Sequence, residues 1–158
     1  MKPRLYLIPL MTFSLLSNIN QTGFSQKRTI GEIVRIDPAL DKLISKEAVI
    51  EIIADGFGWS EGPVWVKDSN FVLFSDIPNN TIFKWKEGEG LSVFLKPSGY
   101  TGRLPYSWGP GSNGLIINKQ GQLVACEHGD RRISSMPLSL GGKRTLADNY
   151  QSKRFNSP

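Results

Sequence analysis

The chain has 158 residues, about the length of one domain, and its composition of 39% hydrophobic and 21% charged residues excludes general disorder. The formal net charge is +5, and two of these charges, Lys2 and Arg4, lie in a segment that we expect to be removed, which leaves +3 (5 minus 2). So mild a charge, on basic residues that do not cluster, gives no support for a nucleic-acid partner, and we predict none.

The N-terminus has the layout of a secretory signal peptide. After the basic end comes the mostly apolar, uncharged stretch Leu5–Leu16, followed by the polar stretch Ser17–Gln26 with its small residues. The apolar run is shorter than the roughly 20 residues that span a membrane. We therefore predict a signal peptide over residues 1–26, cleaved near Gly23–Gln26. The mature protein would be secreted or periplasmic and free of the membrane; the alternative is an uncleaved N-terminal anchor.

Residues 27–60 are expected to form a lead-in segment ahead of the main domain. Asp37 followed by Pro38 is typical of a helix N-cap with proline at the first helical position, so we predict a short helix from Pro38 to about Ile44. The run Ala48–Ile53 is rich in β-branched residues and predicts a strand.

From Glu61 onward the pattern changes to short strands separated by turns rich in Asp, Asn, Pro and Gly, which is typical of antiparallel meanders. The first predicted set of four strands is Pro63–Lys67, Phe71–Ser75, Thr81–Lys86 and Leu91–Leu95. The second set is Gly114–Asn118, Gln122–Glu127, Arg131–Met136 and Lys143–Leu146.

The two sets repeat at a nearly constant spacing. Glu61 and Asn113 each introduce an apolar strand, 52 positions apart (113 minus 61), and Asp76 aligns with His128 at the same offset, which slips to 51 downstream. A period near 50 with four strands per unit predicts β-propeller blades, the alternative being two unrelated meanders of one sandwich. Because a ring needs about four to eight blades, we interpret residues 61–158 as two blades and the approach to a third of a longer protein.

Six motifs in order make the prediction more specific. They are "WSEGPVW", "LFSDIPNNTIFKW", "PSGYTG", "GSNGL", "CEHGDRRI" and "LADNYQSKRFNSP". Together they resemble the N-terminal part of the gluconolactonase family, also known as the senescence marker protein (regucalcin) or luciferin-regenerating enzyme family. The resemblance covers about Ile50–Pro158.

This resemblance implies an all-β, six-bladed propeller that binds one divalent cation in its central channel and hydrolyses sugar lactones. The cation is expected to be Ca²⁺, with Zn²⁺, Mg²⁺ or Mn²⁺ as alternatives. The acid of the family's "EGP" motif is a metal ligand, and Glu61 occupies that place. The remaining ligands and the general base are expected beyond Pro158, so no catalytic residue is predicted within this chain. In the loop around Trp108 the sequence "SWG" departs from the Gly and Glu common in relatives, which leaves the substrate preference open.

The residues themselves favour a similar site. Polar side chains that start the innermost strands of blades can meet at the channel, and hard cations take six to eight oxygen ligands. Asn113 is either a plain turn residue or a candidate to line the channel, where it would contact substrate or a metal-bound water, with direct ligation of the metal as a further alternative. His128 is expected to be a channel-wall or turn residue rather than a general base. Trp108, in a Gly- and Pro-rich loop, is the candidate to face a sugar ring, and Cys126 is expected to be a packed thiol.

We expect the charged pairs Arg131-Arg132 and Lys143-Arg144 to be solvated turn charges. The predicted function is metal-dependent hydrolysis of a sugar lactone, with this chain inactive by itself. The alternatives are a non-enzymatic propeller that binds a cation or a partner, and a truncated product with no activity.

Overall fold

The computed structural model describes residues 28–106 and 108–158. The predicted signal peptide and its cleavage site lie outside the described residues. Within the described ranges, no helix has both the length and the apolar character needed to cross a bilayer.

Two four-stranded antiparallel sheets dominate the described part of the chain. In each sheet every strand pairs with the next strand in sequence, in the orders β1-β2-β3-β4 and β5-β6-β7-β8. The strands of the first sheet are β1 Ser60–Val66, β2 Phe71–Asp76, β3 Thr81–Lys86 and β4 Gly90–Leu95. Those of the second are β5 Ser112–Ile117, β6 Gln122–Glu127, β7 Arg132–Pro137 and β8 Arg144–Ala147. A ribbon of β9 Asn149–Tyr150 and β10 Lys153–Arg154 follows. The predicted all-β class and both meanders are confirmed.

The two sheets pack face to face, as neighbouring propeller blades do. Alternation along β2 and β6 turns Leu73 of one sheet toward Leu123 and Ala125 of the other, and all three are buried. The core that they share is Val66, Leu73, Ile82, Leu115, Leu123, Ala125 and Met136. Leu73 has no exposed surface, and burying such a side chain contributes about 1.5–3 kcal/mol.

The two inner strands start earlier than predicted. β1 begins at Ser60 instead of Pro63, and β5 begins at Ser112 instead of Gly114. Each strand keeps its pairing across a β-bulge, so the Gly-Pro and Asn-Gly steps that looked like boundaries lie inside strands.

The structural repeat is confirmed, but one predicted equivalence is wrong. Matching bulges follow Ile82 in β3 and Ile133 in β7, which are 51 residues apart (133 minus 82). Asp76 and Glu127 each lie six residues before the bulge position, and each is the last residue of its strand, β2 or β6. They are therefore equivalent at offset 51 (127 minus 76). His128 is therefore not the counterpart of Asp76.

The inner strands keep the longer offset. Ser60 pairs with the end of β2 as Ser112 pairs with the end of β6, which gives an offset of 52 (112 minus 60). Glu61 and Asn113 are thus equivalent positions, as predicted. The offset therefore changes from 52 to 51 between the first and second strands of each sheet, that is, between the β1–β2 and β5–β6 connections. Turn signals alone did not reveal where this change occurs.

The lead-in segment differs from its prediction in two places. The predicted helix is a 3₁₀ helix, Pro38–Lys42, capped by the Asp37 carboxylate, which accepts from the Ala39 amide at 2.7 Å. A second short 3₁₀ helix, Lys67–Ser69, joins β1 to β2. The predicted strand Ala48–Ile53 is wrong, because only an isolated bridge between Thr29 and Glu51 forms there.

That segment has β-branched residues but no sheet face to cover them. Val49 and Ile53 are 59% and 49% exposed. Farther along, the lead-in packs Phe57 against Phe74 and Phe83, with ring centroids 4.9 and 5.2 Å away. The last part of the lead-in therefore covers some of the outer face of the first sheet.

Candidate functional site

All the predicted site residues lie along one edge of the two sheets. The start of β1 pairs with the end of β2, and the start of β5 with the end of β6, so strand starts and the β2–β3 and β6–β7 turns share an edge. We call this edge the rim; it comprises the starts of β1 and β5, the turns 77–80 and 128–131, and the connection 96–111. Glu61, Asn113, His128 and Trp108 all belong to it.

The backbone conformation and the close packing at position 62 explain why glycine follows the acid at the start of β1. Gly62 has φ +58, in the left-handed region, and lies in the bulge between Glu61 and Val64. A Cβ at this position would lie 2.5 Å from the backbone oxygen of Asn113. Only glycine suits both conditions, and the bulge sets the direction of the neighbouring side chain. The same contact brings the starts of β1 and β5 together.

The carboxylate of Glu61 is available for a ligand. Glu61 is exposed and makes no side-chain hydrogen bond or ion pair with the residues that the structure describes. It lines a groove with Ser60, Pro63 and Phe74 on the first sheet and Phe57 of the lead-in. An acid that is not held by a structural partner can bind a cation without first losing one.

Asn113 is half-buried and partly engaged. Its Nδ2 donates to the backbone oxygen of Pro158 at 2.9 Å, and its own backbone oxygen accepts from the Ser75 hydroxyl at 2.9 Å. The side-chain oxygen of Asn113 accepts no hydrogen bond from the described residues. Carboxylate and amide oxygens are the ligand types of a hard cation. However, no group of three or more His, Cys, Asp or Glu suited to a metal occurs in residues 28–106 and 108–158. Glu61 and Asn113 therefore fit part of a ligand set.

His128 follows β6 directly and contacts the end of the described chain. Its Nδ1 lies 2.7 Å from the Ser157 hydroxyl, and its ring meets Tyr106 edge-on at 6.0 Å. A serine–histidine pair can act in nucleophilic catalysis when a third group orients the histidine. The nearby Asp130 carboxylate is instead bonded to the amide and hydroxyl of Thr101 at 3.0 and 2.7 Å. Asp130 is thus held by Thr101, and the wall or turn role of His128 stays a prediction.

Asp76 has a structural role that the sequence did not reveal. It is 1% exposed and accepts hydrogen bonds from the Gly58 and Trp59 amides at 3.2 and 3.1 Å. Asn79 also donates to it, at 2.7 Å. Asp76 therefore fixes the backbone at Trp59, which immediately precedes β1 and lies two residues before Glu61.

Glu127, the counterpart of Asp76, lies at the centre of a buried charge cluster. It has no exposed surface, and its carboxylate lies 2.7 Å from Arg132 Nε and 2.8 Å from Lys143 Nζ. The Ser134 hydroxyl also donates to it. Lys143 further donates to the backbone oxygen of Ser98 at 2.7 Å, which ties the cluster to the connection 96–111.

The expectation of solvated turn charges is therefore wrong for Arg132 and Lys143. Their side chains are 22% and 13% exposed, because both turn inward to neutralise Glu127. Arg131 and Arg144 are exposed, as expected. One feature of the sequence could have predicted the cluster. In the run "LVACE" Glu127 lies on the same face of the strand as Leu123 and Ala125, and an acid on a buried face needs a cation nearby.

Trp108 is 65% exposed and packs edge-on against Trp59, with ring centroids 6.3 Å apart. Sequence reasoning missed Trp59, which precedes β1. Within the described residues, no hydrogen bond, ion pair or ring contact joins Trp108, His128 and Glu61 to one another. The structure thus places the candidates along one rim without assembling them into a closed site.

Known proteins match both the sequence and the fold. The chain is 43% identical over 132 residues to the gluconolactonase of Zymomonas mobilis, a match that covers 82% of this chain and 37% of that protein. The structure of a gluconolactonase from Xanthomonas campestris matches with a TM-score of 0.64 at 27% identity, over 84% of this chain and 39% of that one. A further solved structure, of a protein proposed to be a gluconolactonase, matches with a TM-score of 0.56 at 37% identity, over 67% of this chain and 33% of that one.

The chain therefore spans between about a third and two fifths of the length of these relatives. A family model described as the SMP-30/Gluconolactonase/LRE-like region matches residues 59–157, which include both sheets and the whole rim. On this match and on the agreement of the two sheets with solved relatives, the chain belongs to the SMP-30/gluconolactonase/LRE-like family.

Proposed function

We propose that this chain forms part of a secreted or periplasmic hydrolase that opens sugar lactones with the help of a divalent cation. The single observation that carries the proposal is Glu61, an exposed carboxylate without a structural partner among the described residues, at the point of the rim where β1 and β5 meet. Two relatives named gluconolactonases support the reaction class.

Glu61 would supply a carboxylate oxygen to the cation, and Asn113, at the equivalent position of the next sheet, an amide oxygen. We propose Ca²⁺, with Zn²⁺, Mg²⁺ or Mn²⁺ as alternatives. When bound, such a cation polarises a carbonyl group and lowers the pKa of water. The close approach at Gly62 places the start of β1 against the start of β5, so the two residues that would hold the cation lie on adjacent strands of the two sheets.

The chain alone is proposed to bind calcium weakly and to hydrolyse no lactone at a useful rate. Two oxygen donors fall well short of the roughly six that a calcium site requires. The remaining ligands and the general base would come from further blades of a six-bladed ring. A propeller fragment that binds a cation or a partner without catalysis is the competing function.

The test compares this chain with a chimera in which the remainder of the Zymomonas mobilis gluconolactonase follows Pro158. Acid release from glucono-δ-lactone is measured above the spontaneous rate, with and without EDTA, and calcium binding is measured by calorimetry. We expect turnover that EDTA abolishes in the chimera, and little in the chain alone.

Glu61→Gln in the chimera should remove most activity and weaken calcium binding, because it deletes a charged ligand while nearly keeping its shape. The matched control is Glu87→Gln, which makes the same change in the exposed β3–β4 turn at the opposite edge. Full activity of the Glu61→Gln chimera would refute the role of Glu61. Activity that EDTA leaves unchanged would refute metal dependence, and calcium binding without turnover would favour the competing function.

A further inference from the structure

Two tryptophans at the rim carry an inference about the shape of the ligand. Trp59 and Trp108 are 55% and 65% exposed, and their rings meet nearly at right angles, with an interplanar angle of 86°. An edge-on pair of this kind leaves the face of one indole free. Exposed aromatic surface on a folded protein is a mark of a binding site when it is contiguous.

The backbones of Trp59 and of Gly111, three residues after Trp108, are bonded to the same turn. The Trp59 amide donates to Asp76 and its carbonyl accepts from the Ile77 amide at 3.2 Å. On the other side, the Gly111 amide donates to the Ile77 carbonyl at 2.9 Å. Gly111 cannot carry a side chain, because a Cβ would lie 2.7 Å from that carbonyl oxygen. Trp59 is therefore anchored directly by this turn, and the connection that carries Trp108 is anchored at Gly111, which lowers the entropy lost when a ligand binds.

We propose that Trp59 and Trp108 form a stacking platform for the closed ring of the sugar, an inference that rests on the proposed function for the class of ligand. A sugar ring presents C–H groups on its face, and their partial positive charge suits the negative face of an indole. The platform begins two residues before Glu61 in sequence and lies on the same rim, so it would position the ring beside the cation-binding carboxylate.

The platform also distinguishes the substrate from the product. Hydrolysis of a lactone breaks the ring C–O bond and adds water across it, which gives an open-chain hydroxy acid. An open chain offers no rigid C–H face, so the product is held less tightly than the substrate. The platform therefore selects cyclic ligands and favours release of the opened product.

The test uses the 158-residue chain labelled with ¹⁵N at its four tryptophans, whose indole N–H signals are followed by NMR. The probes are methyl β-D-glucopyranoside, a closed ring without a lactone bond, and sorbitol, an open chain of similar polarity. We expect saturable shifts of the Trp59 and Trp108 signals with the glucoside. Trp65, which is 52% exposed, and Trp85 serve as internal controls and should not move. Sorbitol should bind at least about threefold more weakly.

Trp108→Ala should weaken the response of Trp59 roughly three- to tenfold, the loss expected for one aromatic contact. Unchanged Trp65 and Trp85 signals show that the variant is folded, and Trp108→Phe provides a milder variant if it is not. The platform is refuted if no indole responds, if all four respond alike, or if sorbitol and the glucoside act equally. Because the glucoside cannot be hydrolysed as a lactone, a platform that binds it in a chimera without lactonase activity would leave this inference standing and reject the proposed function.

Discussion

The buried charge cluster around Glu127 gives a prediction whose size follows from the structure. In Lys143→Met the carboxylate of Glu127, which has no exposed surface, loses the ammonium group that lies 2.8 Å away. Removing one partner of a buried ion pair costs about 3–5 kcal/mol when the charge left behind has no other partner. Arg132 and Ser134 remain bonded to Glu127, which reduces the loss, while the lost bond to Ser98 adds about 1 kcal/mol. We expect a decrease of about 2–3 kcal/mol in the free energy of unfolding.

The assay is urea unfolding followed by circular dichroism, with the change read from the midpoint at a constant slope. Arg144→Met is the control, because it removes a neighbouring exposed cation and should change stability by less than about 0.5 kcal/mol. Glu127→Gln should also destabilise, and the double variant Glu127→Gln/Lys143→Met should lose at least about 1 kcal/mol less than the sum of the single losses. Additive losses, or a Lys143→Met variant as stable as the control, would show that the pair contributes nothing as a pair.

Three further outcomes are expected. Gly62→Ala should lower the free energy of unfolding by at least about 1 kcal/mol more than Gly88→Ala, because both glycines have positive φ but only Gly62 lacks room for a Cβ. Equal losses of the two variants in urea unfolding would contradict the close approach of β1 to β5. Asn80→Ala should cost about 2 kcal/mol, because the Asn80 Oδ1 accepts from the amides of residues 98–100; unchanged proteolysis of the connection in this variant would count against that role. Burial raises the pKa of the Cys126 thiol, so its alkylation by iodoacetamide should require a higher pH in the folded chain than in urea. The free energy of unfolding should also fall as the pH rises above the thiol's ordinary pKa. Coincident pH profiles of alkylation in the folded and unfolded chains would exclude this shift.

The strands could be predicted because each is a short run that alternates between turn signals. The predicted strand Thr81–Lys86 has the same bounds as β3, and the prediction for β2 ended one residue early, at Ser75. The position of Glu61 relative to Asn113 could also be predicted, because the first strand of each sheet keeps its offset. The spacing of the repeat alone therefore assigns both residues to the same edge.

Other features depend on pairing between distant residues and could not be predicted from local pattern. The run Ala48–Ile53 has strand propensity but gains no sheet partner beyond one bridge, so propensity alone misled. The equivalence of Asp76 with Glu127 requires knowing which turn lost a residue, and only the ladder of pairs shows that. Arg132 and Lys143 look like surface charges until β7 and β8 are folded beside Glu127.

The face-to-face contact of the sheets joins two unlike surfaces. The first sheet turns Leu73 into the contact, whereas the second sheet turns Leu123, whose repeat counterpart is Val72 (123 minus 51) and not Leu73. Each sheet thus has two different faces. The contact joins the face that carries Leu73 in the first sheet to the opposite face of the second sheet, which carries Leu123. Such a heterologous contact has no two-fold axis, so repeating it gives every further sheet the same orientation as the one before it. Two copies placed back to back could therefore not reproduce this interface.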